Sequence, residues 1–214
     1  MLPAQKKVLI ILSDASSFEL RKPDGTTVDE ESGFFLSELA RPLARIIDSG
    51  YTVCFASPNG GKPNVDPLSK STVMAFLGAW WIQRREEELI QKMELENNLL
   101  HPRPFASIFW GLGRILNHFH TLEKPTASLC HGPYAFLSTQ PFAYKGYKLI
   151  SWSDTEEGLV ETLKGGEITK VQSSLANAGA VMIDTLAAKA GSINVDREVV
   201  TGEPELLDKV LLPA

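Results

Sequence analysis

Cysteine is nearly missing: the chain of 214 residues holds only Cys54 and Cys130. Two thiols are too few for a disulfide framework, and no paired Cys or His spacing offers a zinc site, so no metal is expected. A reducing, cytoplasmic compartment is the corresponding expectation. Long apolar runs are also missing. Val8-Leu9-Ile10-Ile11-Leu12 is closed by Asp14 before it reaches the length of a signal-peptide core, still less of a membrane span. No membrane partner is expected. Basic excess is the third absence, since 21 Lys and Arg stand against 26 Asp and Glu, a net charge of −5. Nucleic-acid binding needs a basic face and is not expected either. What remains is an ordinary globular composition, 43% hydrophobic and 22% charged. Its length suits a single domain spanning residues 1–214.

Val8 to Leu12 reads as a buried parallel strand, continuous in apolar residues because both faces would be covered. Ser13 to Ser32 is polar and carries the turn signal Pro23-Asp24-Gly25. A helix fits Gly33 to Asp48, with Phe34, Phe35, Leu36, Leu39, Leu43, Ile46 and Ile47 at helical spacing and Gly50 as its stop. Pro42 falls inside it and predicts a kink or broken turn. Tyr51 to Ala56 is a second strand, with Cys54 placed in the core. Strand, helix, strand in that order implies a parallel crossover. Residues 68–100 read as helical, with a charged run at Arg84 to Glu88 and the adjacent pair Trp80-Trp81. Ile108 to Trp110 reads as a short strand, Leu112 to His120 as a helix, Pro125 to Cys130 as the central strand and Gly132 to Leu137 as a helix. Lys148 to Trp152 and Val195 to Thr201 are further strands, and Glu203 to Leu211 a last helix.

Thr126-Ala127-Ser128-Leu129-Cys130-His131-Gly132-Pro133 carries the chemistry. A strand of small and apolar residues stops at a thiol, and Gly-Pro opens a helix immediately after. This is a nucleophile at a strand-to-helix turn, the mechanical idea of the hydrolase elbow. Such a turn would push the thiol into the open. Free amides at the start of the helix would favour the thiolate, the reactive form. His118 and His120 are two apart on one helix, face different ways and read as structural. His101 has no partner in view.

Cys130-His131-Gly132-Pro133 after a small-residue strand resembles the nucleophile motif of the ThiJ/PfpI superfamily, also called class I glutamine-amidotransferase-like. The segment from Ser32 to Pro42, Ser-Gly-Phe-Phe-Leu-Ser-Glu-Leu-Ala-Arg-Pro, is similar to the Glu helix of the branch with heat-shock chaperones and glyoxalase III enzymes. Gly113 to His120 followed by Lys124-Pro125 resembles that branch's helix before the nucleophile strand. The resemblance implies a flavodoxin-like, doubly wound, mostly parallel sheet with helices on both faces. It implies catalytic roles for Cys130, His131, Glu38 and Asp154, and no cofactor. Glu38 takes the position of the cleft carboxyl, to hydrogen-bond the thiol or share its proton. His131 is the imidazole partner. It directly follows Cys130, so the side chains need not touch, and its backbone N–H could instead serve an oxyanion. Asp154 resembles the carboxylate that orients the histidine in triad-bearing members. Read from the residues alone, it is equally a helix N-cap before Glu156-Glu157.

Two loops depart from the pattern. Trp110-Gly111-Leu112-Gly113-Arg114 stands where the family has a Gly-Gly-His-Gly-like turn, and Thr201-Gly202-Glu203-Pro204 where it has Thr-Gly-x-Asn-Pro. The function implied is a cofactor-independent cysteine enzyme acting on small reactive carbonyls, of glyoxalase III or deglycase type. Alternatives are a redox-sensing or chaperone-like stress protein, or a hydrolase or amidotransferase-like enzyme. The family resemblance also implies a homodimer, with the Trp80-Trp81 segment as a candidate contact.

Overall fold

A computed structural model describes residues 6–60, 63–70, 111–183 and 193–202. The helical reading of residues 71–100, Trp80-Trp81, His101, the strand at 108–110 and the helix at 203–211 lie outside the described residues. The described chain is mixed α/β with parallel strands, and its contacts group into two compact units. One is drawn from Met1–Phe18 and Glu31–Phe109, the other from Glu19–Glu30 and Trp110–Leu211.

In the first unit, β1 (Lys7–Ile11) pairs in parallel with β4 (Thr52–Ala56), Val8 facing Val53 and Ile10 facing Phe55. Between them runs α1 (Leu36–Asp48). Leu36, Leu39, Ala40, Leu43 and Ile46 recur at helical spacing on one side and are buried with Val53 and Phe55. The helix runs unbroken through Pro42, against the expected broken turn. What proline forfeits there is the bond its N–H would have given the carbonyl of Glu38. Gly50, at φ +77°, closes the helix as expected. Cys54 is exposed rather than in the core. Side chains alternate along a strand, so burying Val53 and Phe55 turns Cys54 to the other face.

The polar stretch after β1 is not a plain loop. It folds into a hairpin of β2 (Ser17–Arg21) and β3 (Thr27–Glu31). Asp24 accepts from the N–H of Thr26 at 2.9 Å and from its hydroxyl at 2.6 Å, and Gly25 supplies φ +84°. Leu20 is the one fully buried residue of the two strands. So sparse an alternation gives little strand signal.

In the second unit, β5 (Thr126–Leu129) pairs in parallel with β9 (Val199–Gly202), which pairs antiparallel with β8 (Ile193–Asp196). The single strand expected at Val195–Thr201 is therefore two, turning at Arg197-Glu198 with Arg197 at φ +56°. A short parallel pair joins β6 (Lys148–Leu149) to β7 (Val181–Met182). Helix α2 (Gly111–Thr121) precedes β5, and a 3₁₀ helix (Gly132–Ser138) follows it. Of two further helices, α3 (Asp154–Lys164) figures in the sequence reading only as the N-cap alternative for Asp154, and α4 (Val171–Ala178) has no counterpart there. The cause is legible in α3: its buried residue is Glu157, while Leu159 and Leu163 are exposed, the reverse of an apolar-inward stripe. The core gathers Leu116, Phe136, Tyr144, Tyr147, Leu149 and Leu175. No helix among the described residues is long and apolar enough to cross a membrane.

Candidate active site

The strand-to-turn geometry begins with Cys130. It follows β5 directly and adopts φ +53°, a left-handed conformation that costs a non-glycine residue about 1–2 kcal/mol. Strain of this kind persists only where the surroundings hold it. Here the N–H of Trp152 donates to the Cys130 carbonyl at 2.9 Å, and Pro133 is buried at the start of the 3₁₀ helix. Gly132 leaves room for the bend, since a Cβ there would sit 2.7 Å from Ser128 Oγ. The expected open thiol is not found: Cys130 is only 8% exposed. The element behind it is a short 3₁₀ turn, so a long helix dipole is not what acts on the sulfur.

An imidazole does. His131 Nδ1 lies 3.3 Å from Cys130 Sγ, although the two are neighbours in sequence. The other ring nitrogen, Nε2, lies 3.9 Å from Glu157 Oε1, a charge contact longer than a hydrogen bond. The imidazole is 55% exposed and stacks on Trp152, with centroids 5.2 Å apart and planes at 28°. Glu157 is 1% exposed, and the Val171 N–H donates to both of its oxygens at 3.2 and 3.1 Å. Burial pushes its carboxyl up to about 7, against the downward pull of that N–H and of Lys170. Thiol, imidazole and carboxyl thus follow one another in the order that nucleophilic catalysis uses, recognised by geometry rather than by place in the chain.

The structure brings Cys130 and His131 side by side. Asp154 is the first residue of α3, and its carboxylate accepts the N–H of Ser173 at 3.1 Å and also the Ser173 hydroxyl. It ties the start of α3 to the start of α4. The carboxylate beside His131 belongs to Glu157. Nor is Asp154 the N-cap; Ser153 is, in a capping box with Glu156. That motif, Ser-x-x-Glu, was the signal that could have set the helix phase and pointed to Glu157. Glu38 is half-buried in the first turn of α1, within the first unit, with its N–H donating to the Phe35 carbonyl at 3.1 Å. Of the two histidines read as structural, His118 Nε2 lies 3.1 Å from Lys124 Nζ and His120 Nδ1 lies 2.8 Å from Glu198.

The described chain is thus a mixed α/β protein in which a strand ends in a left-handed cysteine, with an imidazole beside its sulfur and a buried carboxyl behind. Its fold is shared with solved structures of other proteins. The chain is similar to crystal structures of glyoxalase III from Candida albicans (TM-score 0.68, 20% identity, covering 95% of this chain and 93% of that one). It is similar also to Rapid Encystment Protein 24 kDa of Francisella tularensis (TM-score 0.68, 18% identity, 94% and 93%). No protein-family model and no curated protein matches the sequence.

Proposed function

We propose that the protein is a cofactor-independent cysteine enzyme that converts a small 2-oxoaldehyde such as methylglyoxal into the 2-hydroxy acid. The carrying observation is the 3.3 Å approach of His131 Nδ1 to Cys130 Sγ at a strained turn. The fold shared with a glyoxalase III supports the substrate class. His131 takes the thiol proton, and Cys130 Sγ adds to the aldehyde carbon to form a hemithioacetal. A base removes the C1 proton to give an enediol, and the proton returns at C2, leaving a 2-hydroxyacyl thioester. Water cleaves that ester and the thiol is restored, so the sum is oxoaldehyde plus water to hydroxy acid. The backbone N–H of His131 is offered to the developing oxyanion. Glu157 supports the imidazolium and, titrating near neutrality, can hold or release a proton. Glu38 is proposed as a proton carrier on the resemblance of its helix alone. A single flavodoxin-like, doubly wound domain, a homodimer and a cytoplasmic location are proposed on the same footing.

The test is lactate formation from methylglyoxal by wild type, Cys130→Ala and Glu38→Gln. Loss in both variants is expected, and loss in Cys130→Ala alone would make Glu38 scaffolding. Equal rates in wild type and Cys130→Ala would end the enzymatic reading. Rapid stoichiometric oxidation of Cys130 without turnover would favour a redox sensor instead.

A further inference from the structure

Trp152 touches both partners of the thiol–imidazole pair. Its backbone N–H holds the Cys130 carbonyl at 2.9 Å, and its indole lies against the His131 ring, 5.2 Å between centroids and 28° between planes. The imidazole is 55% exposed, and its outer torsion is a broad two-fold one. A half-turn about that torsion would present Cδ2 instead of Nδ1 to the sulfur, and would carry Nε2 away from Glu157. A ring lying on the indole face cannot make that turn without passing edge-on through the indole. The indole π-face also favours the imidazolium formed when His131 takes the thiol proton, tryptophan being the best aromatic for a cation.

We infer that Trp152 is a positioning residue whose indole clamps His131 in the orientation that puts Nδ1 on Cys130 Sγ and Nε2 toward Glu157. The inference rests on the reading of Cys130 as the reacting thiol. Because the Cys130 carbonyl is held by the Trp152 backbone, replacing the side chain isolates the ring from the turn. Among the described residues, Glu157 faces His131, and Lys170, Asp154 and Glu161 bear on Glu157 in turn.

The test measures iodoacetamide alkylation of Cys130 across pH in a Cys54→Ser background, beside lactate formation. Trp152→Leu is expected to slow alkylation at pH 7 by ~10–100-fold and to lower kcat by a similar factor with KM little changed, as a misplaced group does. Trp152→Phe, which keeps a flat ring, should recover most of both. An alkylation rate and pH profile unchanged in a folded Trp152→Leu protein would overturn the inference. Should circular dichroism show that variant unfolded, Trp152→Met, ringless but long, takes its place. The unmutated protein gives an independent reading. A protonated imidazole quenches a stacked indole, so the fluorescence difference between wild type and His131→Asn should titrate with pH, and a flat difference would contradict the clamp. Rapid alkylation that responds to Trp152 in a protein making no lactate would end the glyoxalase reading and uphold the clamp.

Discussion

The second unit carries a histidine–glutamate pair at each end of β5, and the two pairs are built for opposite ends. At the amino end, His120 Nδ1 lies 2.8 Å from Glu198, whose carboxylate also accepts the Tyr147 hydroxyl at 3.0 Å. The Arg197 guanidinium covers the Tyr147 ring at 3.3 Å. Burial alone would raise Glu198, but hydrogen bonds from His120, its own N–H and Tyr147 hold it below the usual carboxylate range. The phenol answers in kind: burial and that bond push Tyr147 up to about 12. At the carboxyl end, His131 stands 3.9 Å from Glu157, too far for a hydrogen bond, and burial pushes the carboxyl up to about 7. The Glu198 carboxylate is held charged by its donors. The Glu157 carboxyl titrates near neutrality, behind the imidazole that touches a thiol. The same two residue types place a carboxyl on opposite sides of its usual range according to how many donors it has been given.

The sharpest way to break this comparison is activity. Glu157→Gln should lower lactate formation by ~10²-fold or more, the scale of a lost acid–base partner, while Glu198→Gln leaves it within a few-fold. Comparable losses from both would erase the distinction. Stability against pH gives the next effect. A carboxyl raised in the folded state contributes stability below its unfolded value, and that contribution is lost as pH climbs from about 4.5 to about 7. Glu157→Gln should therefore flatten the fall across that window and be more stable than wild type at pH 8 by roughly 3 kcal/mol at most. Glu198 is depressed and carries the opposite sign: its contribution is present above the unfolded value and lost in acid. Chemical unfolding of Glu198→Gln should show a weaker acid loss and a lower stability at neutral pH. Identical pH profiles for both variants would contradict the two assignments.

Much of this was legible in the chain, and what was missed has causes. The parallel pairing of β1 and β4, the Leu36-to-Ile46 stripe and the turn at Cys130 follow from apolar period and from Gly-Pro placement. The contact of His131 with Cys130 was not legible, because adjacency in sequence does not by itself fix how two side chains lie, and here it comes with a left-handed Cys130. The start of β9 hid inside one β-rich run, since Arg197-Glu198 is no ordinary turn dipeptide. Glu157 was missed because inward-facing acids contradict the pattern that locates helices, and such contradictions cluster at functional sites.

Cys130 and Cys54 allow the most direct test. Cys54 is exposed and Cys130 is buried, so access alone would label Cys54 first. The account makes the buried thiol the reactive one, activated by the imidazole on its sulfur. Limiting iodoacetamide at pH 7, followed by peptide mass spectrometry, should find Cys130 carbamidomethylated well ahead of Cys54, with the order reversed in His131→Asn. Labelling of Cys54 first in the wild-type protein would contradict the account.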